Sequence, residues 1–129
     1  MSDATVVLDA SALMALLNVE LGAEVVNGFL GDAAMSSVNW CEAYGKLRSR
    51  GVDASPLTAS MAETGIAVLG FDEEDARRAG ELLTATRSAG LSLADRACLA
   101  LAAKLGMPAV TADRAWVDLD VGVEVVCIR

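Results

Sequence analysis

The sequence predicts an α/β domain in which helices cover both faces of a short, mainly parallel β-sheet. Short apolar runs alternate along the chain with longer segments that have helical periodicity. These runs are continuously apolar, as is typical of strands that are buried on both faces. The chain has 129 residues and contains no repeat, linker or low-complexity segment. We therefore interpret residues 1–129 as one domain.

The first half of the chain is predicted to contain two strands and four helices. They are a strand at 5–8, helices at 10–19 and 22–30, a strand at 34–36, and helices at 38–50 and 56–63. Asp9 or Ser11 is expected to cap the first helix, because both side chains accept hydrogen bonds from free backbone amides. Gly31 is expected to end the second helix. Ser37 is expected to cap the third helix, which stops at Gly51.

The second half is predicted to contain three strands and three helices. They are a strand at 66–69, an amphipathic helix at 72–88, a helix at 92–105, a strand at 109–111, a short helix at 115–119 and a strand at 123–128. The first turn of the amphipathic helix carries four consecutive acids, beginning with Asp72, where the helix dipole favours negative charge. Gly90 and Gly106 are expected to end the two long helices.

Composition narrows the class of protein. The chain is 54% hydrophobic, but no apolar run reaches the roughly 18 residues that a membrane span needs. The N-terminus, Met1-Ser2-Asp3, lacks the basic start of a signal peptide, so we expect a cytoplasmic protein with no membrane association. Some of the apolar surface is expected to face another protein. Cys41, Cys98 and Cys127 lie in apolar contexts without a C-x-x-C pair, and we expect buried, reduced thiols.

Charge and aromatic content argue against broad, charge-driven binding of nucleic acid. The formal net charge is −8, which opposes association with a phosphate backbone. The two Trp, one Tyr and two Phe residues are too few for a base-stacking platform. A nucleic-acid enzyme stays compatible with these observations, because bound metal ions offset the charge of a site and local arginines can hold the backbone.

Four carboxylates in a chain without histidine form the strongest functional signal. Asp9 and Asp113 each follow a predicted strand, and Glu42 and Asp95 lie on predicted helices. If these segments converge, four acids meet at one edge of the sheet, and such a cluster needs a cation. Without histidine, imidazole proton transfer and the usual zinc chemistry are excluded. Oxygen ligation of Mg²⁺ or Mn²⁺ remains, and such ions act best on phosphate esters.

Each of the four acids also has an ordinary structural interpretation. Asp9 and Asp113 can serve as N-caps of the helices that follow them. Asp95 lies three residues after a serine, in the Ser-x-x-Asp pattern of a capping box. Glu42 can pair with Lys46 at the i,i+4 spacing. Each acid alone is a weak signal, and the four together favour a site.

Four ordered segments resemble a PIN domain, and more closely the VapC toxins of type II toxin–antitoxin systems. The resemblance covers nearly the whole chain and rests on Val7-Leu8-Asp9-Ala10-Ser11-Ala12-Leu13, Ser37-Val38-Asn39-Trp40-Cys41-Glu42, Leu91-Ser92-Leu93-Ala94-Asp95-Arg96-Ala97 and Val110-Thr111-Ala112-Asp113-Arg114. It implies a three-layer α/β/α fold around a short, mainly parallel sheet. It also implies an Mg²⁺- or Mn²⁺-dependent ribonuclease that forms a homodimer and is inhibited by a cognate antitoxin protein.

The resemblance also assigns roles to single residues. The family's acidic quartet maps onto Asp9, Glu42, Asp95 and Asp113. We expect Asp9 and Asp95 to be direct metal ligands, and the other two acids to complete the shell directly or through water. Ser11 matches the small hydroxyl position after the first acid, and Thr111 matches the hydroxyl position before the last. Trp40-Cys41 replaces the usual small or aliphatic pair, which concerns local packing and leaves the chemistry intact.

Contacts with RNA and with an antitoxin are predicted less sharply. Ser11, Thr111, Arg96 and Arg114 are the substrate candidates, and the two arginines lead because they adjoin site acids. Arg77 and Arg78 are expected to pair with acids of their own helix instead. A groove for an antitoxin helix is predicted from six apolar residues, most of which also suit a core: Leu13, Leu16, Leu17, Val25, Val26 and Phe29.

Two other classes of protein compete with a nuclease. A PIN-like module that only binds partners would not need the intact quartet. A phosphotransfer domain, either a haloacid-dehalogenase-like phosphatase or a response-regulator receiver, also places an Asp after its first strand. The phosphatase needs a second Asp two residues later, where this chain has Ser11. The receiver needs a lysine at the end of a late strand, whereas Lys46 and Lys104 lie in predicted helices.

Overall fold

A computed structural model describes residues 5–129 and contains one parallel sheet in this range. Its strands are β1 (Val6–Leu8), β2 (Ala33–Ser36), β3 (Ile66–Leu69), β4 (Ala109–Thr111) and β5 (Val125–Cys127). Their order across the sheet is β3-β2-β1-β4-β5, and every neighbouring pair is parallel. The predicted parallel sheet is confirmed. The tripeptide Met1-Ser2-Asp3 lies outside the described residues.

Helices connect the strands and cover the sheet. They are α1 (Ala10–Leu17), α2 (Ala23–Asn27), α3 (Ser37–Ser49), α4 (Ser55–Glu63), α5 (Glu73–Glu81), α6 (Leu83–Thr86) and α7 (Leu93–Leu105), with short 3-10 helices at Arg87–Ala89 and Arg114–Trp116. In residues 5–129 no helix is long and apolar enough to cross a membrane.

The central strands are buried on both faces, because each face packs against helices. In β1, Val6 and Leu8 join a core that includes residues of α1, α3 and α4. Val7, between them, joins a second core with α7 and the fully buried Trp116. Alternate side chains of a strand point to opposite faces, so these two cores lie on opposite sides of the sheet. The predicted α/β fold with three layers is confirmed.

The predicted helix at 72–88 is wrong in its length. Two helices and a 3-10 turn occupy this segment, and α5 is separated from α6 by Leu82. Gly80 and the β-branched Thr84 and Thr86 are weak helix formers. The helical periodicity of the segment nevertheless continues through Leu82 and does not mark the break between the two helices. Asp72 caps α5 from outside, through a reciprocal capping box with the third helical residue.

Other boundaries move by a few residues for local reasons. Ser36, and not Ser37, caps α3, since its hydroxyl accepts a hydrogen bond from the Val38 amide at 3.2 Å. The last strand is shorter than predicted because its partner β4 has three residues. The first helix ends before Val19, whose positive φ of 52° is rare for a β-branched residue. The predicted helix at 115–119 is a 3-10 turn capped by the preceding aspartate.

The cysteine prediction is confirmed in part. All three thiols are free, and Cys98 is buried in the core. Cys41 is exposed and Cys127 is half-buried, so the prediction of burial is wrong for Cys41. Cys41 lies on α3 between the half-buried Trp40 and Glu42, and the helical period turns its side chain to the exposed face of the helix.

Candidate active site

The strand order places a topological switch point between β1 and β4. The chain runs from β1 towards β2 and β3 on one side, and later to β4 and β5 on the other. In open α/β sheets, binding sites form outside the carboxyl ends of the strands at such a point. Asp9 follows β1 and Thr111 ends β4. The order also differs from the 2-1-3-4-5 order of receiver domains, which removes that phosphotransfer alternative.

Register brings Asp9 and Thr111 together. Leu8 pairs with Val110 across the two strands, so the next residues on each strand face one another at the carboxyl edge. The Thr111 hydroxyl donates a hydrogen bond to Oδ2 of Asp9 at 2.6 Å. On the other side, Oδ1 accepts from the Ser11 hydroxyl at 2.7 Å and from the Ala12 amide at 2.8 Å. The Asp9 carboxylate is thus held by three donors.

Backbone amides fix the direction of both hydroxyls. Ser11 Oγ accepts from the Ala112 amide at 2.9 Å, and Thr111 Oγ1 accepts from the Asp113 amide at 3.1 Å. Each hydroxyl has one proton, and both protons are donated to Asp9. The roles of Ser11 and Thr111 as RNA contacts stay predictions, and the structure gives both residues a position in which they orient the first acid.

Burial makes Asp9 electrostatically unusual. Its side chain is 4% exposed, and desolvation raises its pKa from the ordinary 3.8 to about 6, although hydrogen bonds from Thr111, Ser11 and Ala12 oppose the rise. The nearby carboxylate of Asp95 raises this pKa further. A buried anion that is only partly compensated in this way favours a bound cation.

The charges of Asp9 and Asp95 also act on the buried thiol of Cys98. It is fully buried on α7, three residues after Asp95. Desolvation raises the pKa of its thiol well above the ordinary value, and the charges of Asp9 and Asp95 add to the effect. The thiol therefore stays protonated. Both acids act on the Cys98 thiol, and Asp95 acts on Asp9, so these three groups lie in one region of the molecule.

Asp95 is a helix cap as well as a candidate site residue. Its Oδ2 accepts from the Ser92 amide at 2.9 Å, and Ser92 Oγ accepts from the Asp95 amide at 3.2 Å. This is the capping box that the sequence pattern allowed. The box fixes the half-buried carboxylate on the first turn of α7. Within residues 5–129, Oδ1 of Asp95 accepts no hydrogen bond, so it remains free to bind a ligand.

The remaining two acids are held less tightly. Glu42 is half-buried on α3 and makes no hydrogen bond or ion pair with any residue from 5 to 129, so the alternative interpretation of Glu42, a pair with Lys46, is not seen in this range. Asp113 is exposed and caps the 3-10 turn, with Oδ1 accepting from the Ala115 amide at 2.9 Å. Both carboxylates keep an oxygen without a partner in this range.

The donor set fits a hard divalent cation that keeps part of its water shell. A carboxylate offers about four lone pairs, and three are used at Asp9, which leaves one on Oδ2. Across residues 5–129, no three acidic or thiol side chains lie close enough to hold one ion together. Mg²⁺ is typically bound through one or two carboxylates and several waters, so two carboxylates such as those of Asp9 and Asp95 would be enough to hold it.

The two candidate arginines lie in different environments. Arg96 is half-buried, and its Nη1 donates to the Ala79 carbonyl of α5 at 2.9 Å. Arg114 is exposed and forms no ion pair with residues 5–129. The predicted pairing of the arginines at 77–78 with acids on their own helix is confirmed for Glu73 and Glu74.

One polar residue near the acids was missed by the sequence interpretation. Asn39 is 1% exposed on α3, and its Nδ2 donates to the Ala94 carbonyl of α7 at 3.0 Å. Its position three residues before Glu42 could have indicated a place near the acids, because residues at i and i+3 share a helix face. The burial of the amide could not have been predicted, since asparagine is usually exposed.

Comparisons with known proteins agree with this fold. The family model of the PIN domain matches residues 6–122. A toxin–antitoxin complex from Klebsiella pneumoniae is similar in structure, with a TM-score of 0.73 and 18% identity over 97% of this chain and 98% of that one. VapC20 of Mycobacterium tuberculosis, described as a sarcin–ricin loop cleaving toxin, has a TM-score of 0.73 and 18% identity over 93% and 99%.

A third similar structure is the DNA-bound VapBC of Salmonella typhimurium. Its TM-score is 0.72, with 18% identity over 98% of this chain and 99% of that one. No significant match is found among curated protein sequences. The switch-point site and the family match together define the class, and the chain belongs to the PIN domain family. Its structural neighbours include the toxin components of VapBC systems.

Proposed function

We propose that this protein is an Mg²⁺- or Mn²⁺-dependent endoribonuclease that acts as the toxin of a VapBC-type system. The observation that carries the proposal is the buried Asp9 carboxylate at the switch point, held by two hydroxyls and close to Asp95. A similar fold in a toxin described as cleaving the sarcin–ricin loop supports RNA as the substrate. We expect activity in the cytoplasm, from a single domain spanning 1–129.

In this proposal the four acids have different roles in binding the metal ion. Asp9 and Asp95 bind the ion directly, and Glu42 and Asp113 complete the shell directly or through water. When bound, the ion lowers the pKa of a water and offsets charge that develops on the phosphate and the leaving oxygen. A cation beside Asp9 would also oppose the desolvation that raises the pKa of this carboxyl. Ser11 and Thr111 hold the Asp9 carboxylate in one orientation.

A protein antitoxin and a homodimer complete the proposal. Similar structures described as VapBC or toxin–antitoxin complexes support an antitoxin partner. Of the six predicted groove residues, Leu13 and Val26 belong to the core, whereas Val25 is 36% exposed. Val19 and Leu21, between α1 and α2, are 84% and 75% exposed. This apolar surface near α2 supports a partner protein on that side of the molecule.

Cleavage of total cellular RNA by the purified protein, freed of any antitoxin, tests the proposal. Mg²⁺, Mn²⁺ and EDTA reactions are run beside Asp95→Asn, which keeps an oxygen for the capping box and removes the charge. We expect discrete fragments with either ion, and none with EDTA or with the variant. Fragments that persist in EDTA and in Asp95→Asn would contradict a metal site. A folded wild-type protein that neither binds Mn²⁺ nor cuts RNA would favour the non-catalytic interaction module.

The environments of the two arginines predict opposite phenotypes. Arg114→Ala is expected to raise KM for RNA several-fold without changing the melting temperature, because the side chain is exposed. Arg96→Met is expected to lower the free energy of unfolding by about 1–2 kcal/mol with KM unchanged, because the Ala79 carbonyl loses a charged donor. Thermal melts and steady-state kinetics on both variants check this. An Arg96→Met protein with normal stability and a raised KM would show instead that Arg96 contacts RNA.

A further inference from the structure

A buried amide connects the two helices that carry Glu42 and Asp95. Asn39 is 1% exposed, and its Nδ2 donates to the backbone carbonyl of Ala94 at 3.0 Å. The two residues are 55 positions apart in sequence. Ala94 directly precedes Asp95 on the first turn of α7. The bond therefore joins α3 to the turn that presents one of the two proposed direct metal ligands.

The same side chain shares a helix face with Glu42. Residues at i and i+3 are neighbours on a helix surface, so the face of α3 that meets α7 at Asn39 carries Glu42 one turn later. Glu42 itself has no hydrogen-bond partner from 5 to 129. Its placement relative to Asp95 thus depends on how the two helices are docked, and Asn39 supplies the polar contact at that junction.

Helix capping does not explain the amide. Asn39 is the third residue of α3, where a side chain can reach back to cap the first turn. Among the described residues, the side chain makes no such bond to the Ser36 amide, and α3 is capped by the Ser36 hydroxyl, which accepts from the Val38 amide at 3.2 Å. The Asn39 side chain reaches across to α7 instead.

Stability is also a poor explanation for this residue. The Oδ1 atom of Asn39 is buried and has no hydrogen-bond partner among residues 5–129. An unpaired buried oxygen is unfavourable, and an apolar side chain in its place removes that desolvation cost. The Ala94 carbonyl belongs to a helix turn, so it keeps a backbone partner without the amide. What Asn39 contributes is a defined relation between two helices.

We propose that Asn39 is a positioning residue that sets Glu42 and Asp95 in register for metal binding. The inference rests on the proposed function, because it concerns the same acids. It predicts that metal affinity and fold stability respond differently to one substitution. Residues that orient metal ligands typically change metal affinity or activity by about 10–100-fold when they are replaced.

The test compares Mn²⁺ binding by calorimetric titration with melting temperatures in EDTA, for wild type and Asn39→Leu. Leucine has the same branched arrangement of heavy atoms as asparagine and cannot donate a hydrogen bond. We expect Asn39→Leu to bind Mn²⁺ about 10–100-fold more weakly, with a melting temperature in EDTA equal to or above that of wild type. The weakened affinity is a readout independent of RNA cleavage.

Thr86→Val is the matched control. Thr86 is fully buried on α6, which carries none of the four acids, and its hydroxyl donates to the Leu82 carbonyl at 2.8 Å. Its loss is expected to lower the melting temperature and leave Mn²⁺ affinity unchanged. If the protein needs a polar group at 39 only to fold, Asn39→Leu will instead melt earlier and bind Mn²⁺ normally once folded, which overturns the inference.

The remaining outcomes are also decisive. If Asn39→Leu does not fold, Asn39→Ala is titrated in its place, and wild-type Mn²⁺ affinity in a folded Asn39→Ala protein overturns the inference. A wild-type protein that binds Mn²⁺ and cleaves RNA, beside an equally competent Asn39→Leu, refutes the positioning role alone. A wild-type protein that binds no Mn²⁺ refutes the proposed function and this inference with it.

Discussion

Asp9→Asn is expected to abolish RNA cleavage and, without metal, to make the protein more stable. The pKa of the buried carboxyl is about 6 in the folded protein, against an ordinary 3.8. Above pH 6 the folded state therefore holds an unfavourable charge. The difference between the two pKa values corresponds to about 3 kcal/mol in the free energy of unfolding. Asparagine removes this charge and still accepts from Ser11 and Ala12. Activity should fall at least about 1000-fold, roughly 4 kcal/mol in barrier, because a direct metal ligand is lost.

The pH dependence of this gain has a defined sign. Between about pH 4 and pH 6 the folded state binds more protons at Asp9 than the unfolded state does, so the contribution of Asp9 to stability falls as pH rises. In EDTA, the stability difference between Asp9→Asn and wild type should therefore open across this range and stay constant above it. Denaturant melts at several pH values measure it.

Mn²⁺ should close most of the stability gap between Asp9→Asn and wild type. A ligand that binds only the folded state at a hundredfold excess over its Kd adds about 2.7 kcal/mol, and Asp9→Asn should gain little. Asp72→Asn is the control, because Asp72 also caps a helix, but that helix is α5, which carries none of the four acids. It should keep both cleavage and the response to Mn²⁺. An Asp9→Asn protein with wild-type turnover would remove Asp9 from the site.

Thr111→Val is expected to damage stability and activity together. The substitution keeps the shape of the side chain but removes the hydroxyl that donates to Asp9 Oδ2 and accepts from the Asp113 amide. Thr111 is fully buried, so the two partners lose this bond where solvent is scarce. We expect the free energy of unfolding to fall by about 2 kcal/mol or more. Turnover should fall about 10–100-fold, because Asp9 is no longer oriented.

Thr111→Ser distinguishes the contribution of the hydroxyl group from that of the methyl group. Serine keeps the hydrogen-bonding atom and loses one methyl, so it should retain most of the turnover and show only a modest loss of stability. Chemical denaturation and single-turnover cleavage of both variants, side by side, give the comparison. Equal turnover by Thr111→Val and Thr111→Ser would show that the hydroxyl does not orient Asp9 for catalysis.

The fold was predictable where local pattern and packing agree. Strands buried on both faces must be continuously apolar, and the five apolar runs of the sequence form the five described strands. The break at Leu82 was not predictable, because the helical pattern of 72–88 continues through it and three-dimensional packing decides where the helix turns. Boundaries such as that of β5 depend on the length of a partner strand, which the sequence of β5 alone does not contain.

The candidate acids could be named from the sequence, whereas their surroundings could be predicted only in part. Asp9, Asp95 and Asp113 each had a capping role as the alternative, and in the structure each of them caps a helix or a 3-10 turn. The two interpretations do not compete: a cap fixes a carboxylate at the end of an element, which is where parallel strands and their helices meet. Capping therefore could not be used against a role in the site.

Long-range hydrogen bonds are the part that the sequence could not supply. The bond from Thr111 to Asp9 depends on the register between β1 and β4, and the bond from Asn39 to Ala94 depends on how α3 docks against α7. Neither relation leaves a local pattern in the chain. The pKa of Asp9 likewise follows from burial that only the assembled layers create.

Anomalous diffraction from crystals soaked with Mn²⁺ tests the central claim most directly. We predict a manganese peak at the carboxyl edge of the sheet, against Asp9 and Asp95, that is lost in Asp9→Asn crystals treated in the same way. A peak remote from both carboxylates, or an edge without manganese in a protein that cleaves RNA, would contradict a metal site built on these acids.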